Sequence, residues 1–126
     1  MKEILFVALG GAFGSVCRYS LSSLVLAQTI NWRFPLGTFL VNIIGCFVIG
    51  LLSGLVIKHD YFSNEIRLLL ITGVIGGFTT FSAFGLETVY LIRRDEFAVA
   101  GFYVASSVIF GLLILWLGFL LIPNKG

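Results

Sequence analysis

One apolar segment carries the residue types best suited to ion chemistry. Residues 73–85 read GVIGGFTTFSAFG, with paired glycines and threonines inside a stretch long enough to cross a membrane. Glycines weaken a helix, and hydroxyl groups offer its backbone competing hydrogen bonds. A helix interrupted at membrane depth must be buried in protein or line a wet cavity. The helix could continue through this segment, but a break would free carbonyls that can bind a cation and create helix ends that can bind ions.

Two aromatic residues in the same segment are candidate anion contacts. Phe81 and Phe84 are three residues apart and share a helix face. An aromatic ring is negative at its face and positive at its edge, so a ring edge can contact a small anion where no cationic side chain is at hand. Core packing is the commoner role for phenylalanines at this spacing. The neighbouring glycines and threonines favour the anion-contacting alternative.

Polar residues in the first two apolar stretches have a structural and a functional interpretation. Arg18 shares a helix face with Gly10 and Gly14, so it belongs either to a helix-packing seam or to a vestibule that attracts anions. Thr38 and Asn42 also share a face. They predict either an interhelical hydrogen bond worth about 1 kcal/mol or polar donors facing an ion pathway.

The later apolar stretches add a carboxylate and two hydroxyls. Glu87 lies shortly before Arg93 and Arg94, so a solvated helix-end residue is a better interpretation than a proton carrier. Tyr103 and Ser107 share one face of the last stretch. The serine either bonds back to its own helix or belongs with the tyrosine to a polar track that passes an ion along.

The composition places these residues in a membrane protein. The chain has 126 residues, is 59% hydrophobic and 11% charged, and has a mean hydropathy of +1.09. A soluble domain of this size cannot bury so much apolar surface, so lipid must be the main solvent. Four apolar stretches of about the 20 residues needed to span hydrocarbon predict one all-α domain over residues 1–126. The expected spans are 4–27, 36–57, 66–92 and 97–122.

Several function classes have no support in the sequence. Cys17 and Cys46 lie in apolar stretches and act as small hydrophobic residues, while His59 is the single histidine. We expect neither a disulfide nor a histidine or cysteine metal site. With no nucleophile–base pair, an enzyme is improbable, and we expect a lipid bilayer and no nucleic acid as partner.

The loop charges leave the membrane orientation undecided. One side of the membrane would hold Lys2, Lys58, Arg67 and Lys125, and the other Arg33, Arg93 and Arg94. Because orientation follows the Lys/Arg bias of short loops, this near-balance suits insertion in both directions, although a single orientation stays possible. Four helices enclose a hydrophilic path poorly by themselves, so a homodimer is expected.

Three segments resemble the signature segments of one membrane family. They are GGAFGSVCRY, GTFLVNIIG and GGFTTFSAF, in the order and on the spans found in the Fluc (CrcB) fluoride channels. The resemblance covers essentially the whole chain. It implies a multi-pass protein of the plasma (inner) membrane, assembled as an antiparallel, dual-topology homodimer. It also implies passive, selective fluoride conduction through two pores, each lined by both subunits, which protects the cell from fluoride toxicity.

The resemblance also assigns roles to individual residues. It implies a structural sodium ion at the dimer centre, held by the backbone carbonyls of Gly76 and Thr79 where the two broken third helices cross. The residues implied for the fluoride path, together with Thr38 beside the asparagine, are Asn42, Phe81, Phe84, Ser82, Tyr103 and Ser107. Arg18 matches the family's first-helix arginine, and Glu87 its glutamate after the break. Ala83 and Gly111 stand where members commonly carry hydroxyl side chains.

Two alternatives compete with the channel. A small dual-topology multidrug or guanidinium exporter couples transport to protons through a carboxylate deep in the membrane. The first span has no acid after Glu3, and Glu87 lies towards the end of the third. A non-transporting membrane assembly subunit predicts instead that the polar residues in the spans tolerate apolar replacement.

Overall fold

The computed structural model describes all 126 residues. Its regular secondary structure consists of helices, with no strands. Four stretches are helical, long and apolar enough to cross a membrane, which confirms the all-α class and the four predicted spans. They are Lys2–Gln28 (α1), Leu36–His59 (α2), Asn64–Arg93 and Phe97–Leu121 (α5). The third span comprises α3, made of the consecutive segments Asn64–Arg67, Leu68–Ile75 and Gly76–Phe78, and α4, Phe81–Arg93. The middle segment of α3 is π-helical.

The turn between α2 and α3 is fixed by local polar contacts. Asp60 ends α2 in the left-handed conformation (φ 51°), and its N–H bonds back to the last turn of the helix. Ser63 then caps α3 by accepting a hydrogen bond from the Ile66 N–H at 3.3 Å. Arg67 pairs with the Asp60 carboxylate and donates to the Phe62 carbonyl at 3.0 Å. These contacts set two antiparallel spans side by side.

Glycines bring α1 and α3 into backbone contact, as the small-residue spacing in α1 predicts. A Cβ on Gly73 would lie 2.9 Å from the Gly10 Cα, and one on Gly77 would lie 2.6 Å from the Gly11 carbonyl oxygen. Without a hydrophobic driving force between helices in lipid, such close approach supplies the packing energy. The seam therefore fixes the position of α3 along the axis of α1.

A second glycine seam joins α2 to α5. A Cβ on Gly118 would lie 2.6 Å from the Phe47 carbonyl oxygen, and one on Gly54 would meet Ile122 at 2.8 Å. Lys58 then caps α5 by donating to the Phe119 and Ile122 carbonyls at 3.0 and 2.6 Å. The ammonium also lies 4.4 Å from the centre of the Phe119 ring, a cation–π contact.

The α2–α5 seam predicts a position-dependent response to one added methyl group. We expect Gly118→Ala to lower the stability by about 1–3 kcal/mol, since backbone atoms must move apart to admit the Cβ. Gly101 lies in the same helix, and a Cβ placed on it would have no atom within 4 Å, so Gly101→Ala is the matched control. Unfolding midpoints of both variants in detergent provide the measurement. Equal midpoints would show that the seam is not closely packed.

Candidate functional site

Two consecutive residues in the third span have extended rather than helical backbone. Thr79 has φ −78° and ψ 157°, and Thr80 has φ −149° and ψ 121°. Helix α3 ends just before them at Phe78, and α4 begins just after them at Phe81. Extended backbone at this depth leaves N–H and C=O groups without helical partners, and each unpaired group would cost several kcal/mol in lipid.

Asn42 on α2 satisfies the backbone of Thr80. Its Nδ2 donates to the Thr80 carbonyl at 3.0 Å, and its Oδ1 accepts from the Thr80 N–H at 2.8 Å. The side-chain amide thus pairs with both the N–H and the C=O of one residue, as a residue of a neighbouring antiparallel strand would. This is the interhelical hydrogen bond expected as one alternative for Asn42, and it leaves one Nδ2 hydrogen for a further acceptor.

The threonine hydroxyls and Arg18 form further hydrogen bonds with backbone groups near Thr79 and Thr80. The Thr80 hydroxyl accepts from the Ala83 N–H at 3.1 Å and so caps α4, while the Thr79 hydroxyl donates to the Ile75 carbonyl at 2.9 Å. Arg18 Nε donates to the Gly77 carbonyl at 3.1 Å. The sequence reasoning missed the part played by Thr80, although a threonine directly before an apolar helical segment is a signal for a helix cap.

Three carbonyls at this point have no partner among the bonds formed outside the helices. None of those backbone hydrogen bonds ends on the carbonyl oxygen of Gly76, Phe78 or Thr79. The neighbouring carbonyls of Gly77 and Thr80 are occupied by Arg18 and Asn42. No group of histidine, cysteine or acidic side chains is arranged to hold a metal ion.

The two phenylalanines lie against a cavity of about 440 Å³ beside Thr79 and Thr80. Their ring centroids are 5.7 Å apart with planes inclined by 26°, so the rings are stacked. Phe84 also packs on Tyr103 at 5.0 Å, whereas Phe81 is 75% exposed. No charged side chain lines the cavity, whose lining residues include Asn42, Thr79, Thr80, Ser107 and Cys46.

Glu87 is tied into the protein rather than solvated at a helix end, which corrects the expectation from sequence. Its Oε1 accepts from the Thr38 hydroxyl at 2.6 Å, and its Oε2 accepts from the fully buried Tyr103 at 2.8 Å. The carboxylate comes from α4 and its two donors from α2 and α5. Spacing along one helix could not reveal this network because each member lies on a different helix.

Ser107 is the predicted site residue whose buried side-chain oxygen has no hydrogen-bond partner. This side chain lines the 440 Å³ cavity. The expected bond back to its own helix is made instead by Ser106, which donates to the Tyr103 carbonyl at 3.3 Å. A buried hydroxyl without a partner is costly, so this one is suited to receiving a polar or anionic guest.

The predicted residues fall into three groups in space. Asn42, Phe81, Phe84 and Ser107 share the 440 Å³ cavity with Gly76 and Thr79. Thr38, Glu87 and Arg18 line a neighbouring cavity of about 220 Å³, and Tyr103 joins this group through its bond to Glu87. Ser82 is exposed, with its hydroxyl 3.4 Å from that of Thr80, and does not line either cavity.

Comparison with known proteins identifies the family. The model of the family described as "CrcB-like protein, Camphor Resistance (CrcB)" matches residues 5–119. A relative from Methylobacillus flagellatus, named "Fluoride-specific ion channel FluC", is 55% identical over 122 residues, covering 97% of this chain and 95% of the relative. A relative with the same name from Flavobacterium psychrophilum is 42% identical, covering 96% of this chain and 97% of the relative. Another from Helicobacter acinonychis is 43% identical, covering 95% of this chain and 94% of the relative. The resemblance seen in the three motifs is thereby confirmed, and the chain belongs to the CrcB-like family.

Proposed function

We propose that this protein is a passive, fluoride-selective channel that lets fluoride leave the cell and so protects it from fluoride toxicity. The observation that carries the proposal is the uncharged cavity at Thr79 and Thr80, where an unpartnered hydroxyl, a side-chain amide and two aromatic rings meet. The name shared by the family relatives agrees with it. Conduction requires contacts good enough to replace hydration and weak enough to release the ion.

The chemistry of the lining explains the choice of neutral donors. An amide N–H, a hydroxyl and the positive edges of aromatic rings each attract fluoride modestly. A free guanidinium in the same space would hold the anion too firmly. Arg18 instead donates its Nε to the Gly77 carbonyl and faces the 220 Å³ cavity, where its charge can raise the local anion concentration.

A second copy of the chain would complete the site. Phe81 is 75% exposed although it lies mid-span beside the cavity, so its outer face is free for a partner helix. The near-balanced loop charges are compatible with two-way insertion, which yields an antiparallel homodimer in the plasma (inner) membrane. Each of two pores would then be lined by residues from both subunits.

The broken third helix would supply a cation site at the dimer centre. The carbonyls of Gly76 and Thr79, which accept none of the backbone hydrogen bonds formed outside the helices, fit sodium, because unwound backbone carbonyls are ligands for this ion in membrane proteins. Two oxygens from each of two subunits would hold it. A bound sodium ion would offset the partial negative charge of these carbonyls beside an anion path.

Fluoride flux from liposomes tests the proposed function and its aromatic contacts together. With the purified protein reconstituted, we expect fast fluoride efflux at a fluoride electrode, little chloride efflux in parallel, and no need for a proton gradient. Phe84→Ile should lower the fluoride rate by about tenfold or more, since it removes a ring edge while keeping an apolar side chain. Phe81→Ile should act in the same direction.

Phe13→Ile is the matched control, because Phe13 lies on α1 and is 62% exposed away from the cavity. Each variant is compared as the intact oligomer by size exclusion. No fluoride flux from folded wild-type protein would refute the channel. Flux that requires a proton gradient would point to an exporter. Unchanged flux in both Phe81→Ile and Phe84→Ile would remove the rings from the path.

The dimer proposal predicts both membrane orientations in cells. A single cysteine introduced near the C-terminus, in a variant lacking Cys17 and Cys46, should react with an impermeant maleimide in roughly half of the molecules. Lysines appended at the C-terminus should bias insertion towards one orientation and abolish flux, because orientation follows the Lys/Arg bias. If all or none of the molecules without appended lysines were labelled, dual topology would be contradicted.

A further inference from the structure

One helical turn beyond Ser107, the polar lining of the 440 Å³ cavity passes from α5 to α2. On α5, the residue four positions after Ser107 is Gly111, which offers no side chain. A Cβ placed on Gly111 would lie 3.5 Å from the Sγ of Cys46, which is on α2. The thiol therefore stands in van der Waals contact with the position where α5 lacks a side chain.

Cys46 also continues the polar face of α2. It follows Asn42 by four residues, so both side chains project from the same face, and both line the cavity. The thiol forms no disulfide and has no hydrogen bond in the structure. The same cavity is also lined by the aliphatic side chains of Ile49, Ile71 and Val108. An S–H group is the available donor here.

We propose that the Cys46 thiol is a fluoride-contacting group that takes the ion over from the Ser107 hydroxyl. The proposal rests on the channel function proposed above. A thiol is a weak donor, so it lowers the cost of passing an otherwise aliphatic stretch without trapping the anion. The unpartnered Ser107 hydroxyl and the cavity that it shares with Cys46 support this continuous line of donors.

Two substitutions separate a donor role from a packing role. Cys46→Ser keeps a donor but loses apolar character, whereas Cys46→Val stays apolar, is slightly larger and has no donor. We expect Cys46→Val to conduct fluoride about threefold to tenfold more slowly than Cys46→Ser, the effect of losing one weak hydrogen bond to an ion. Adding Gly111→Ser to Cys46→Ala should recover flux lost in Cys46→Ala, since a hydroxyl then returns to the same place from the other helix.

The second cysteine of the chain provides the matched control. Cys17 does not line this cavity, so Cys17→Val should conduct like the wild type. If Cys46→Val conducts as fast as Cys46→Ser, or faster, the thiol is a packing group and the inference is overturned. If the wild type conducts no fluoride, the proposed channel function is refuted. If the wild type conducts but Cys46→Val and Cys46→Ser have equal fluoride rates, only the role of Cys46 in the ion path is refuted.

Discussion

The pairing of the Asn42 amide with the backbone N–H and C=O of Thr80 is the interaction on which the rest of the site depends. Lipid offers no hydrogen bonds, so a span can depart from helix only where protein groups replace the lost partners. Asn42 supplies both a donor and an acceptor to one residue, at 3.0 and 2.8 Å. The threonine hydroxyls and Arg18 bind adjacent groups, and the carbonyls of Gly76, Phe78 and Thr79 accept none of the backbone hydrogen bonds formed outside the helices.

This backbone arrangement also explains the division of charge. Arg18 and Glu87, the charged residues nearest to the site, each have fixed partners, namely the Gly77 carbonyl for the arginine and the Thr38 and Tyr103 hydroxyls for the glutamate. Both lie beside the smaller cavity, and the larger one has an uncharged lining. Under the proposed function, the uncharged cavity would form the weakly attractive part of the path, and the positive charge of Arg18 beside the smaller cavity would attract the anion towards it.

Sequence reasoning reached the helices and the glycine seams because their signals are local. Apolar length predicts a span, and Gly10 and Gly14 at one-turn spacing predict close helix contact. It failed for Glu87, whose partners come from two other helices. Contacts between helices depend on how each helix is rotated about its axis and how deep it lies in the membrane. No short motif in a single sequence specifies these two quantities.

Hydrogen exchange at Thr80 tests the central claim most directly. In the reconstituted protein, Asn42→Ala should speed exchange in the peptide covering residues 79–84 by about tenfold or more, since a buried hydrogen bond worth about 1–3 kcal/mol is lost. Exchange in α5 should stay unchanged, and Asn31→Ala, in the loop before α2, should leave both regions as in the wild type. Unchanged protection of residues 79–84 in Asn42→Ala would show that the extended backbone is held by something else, and would contradict the account.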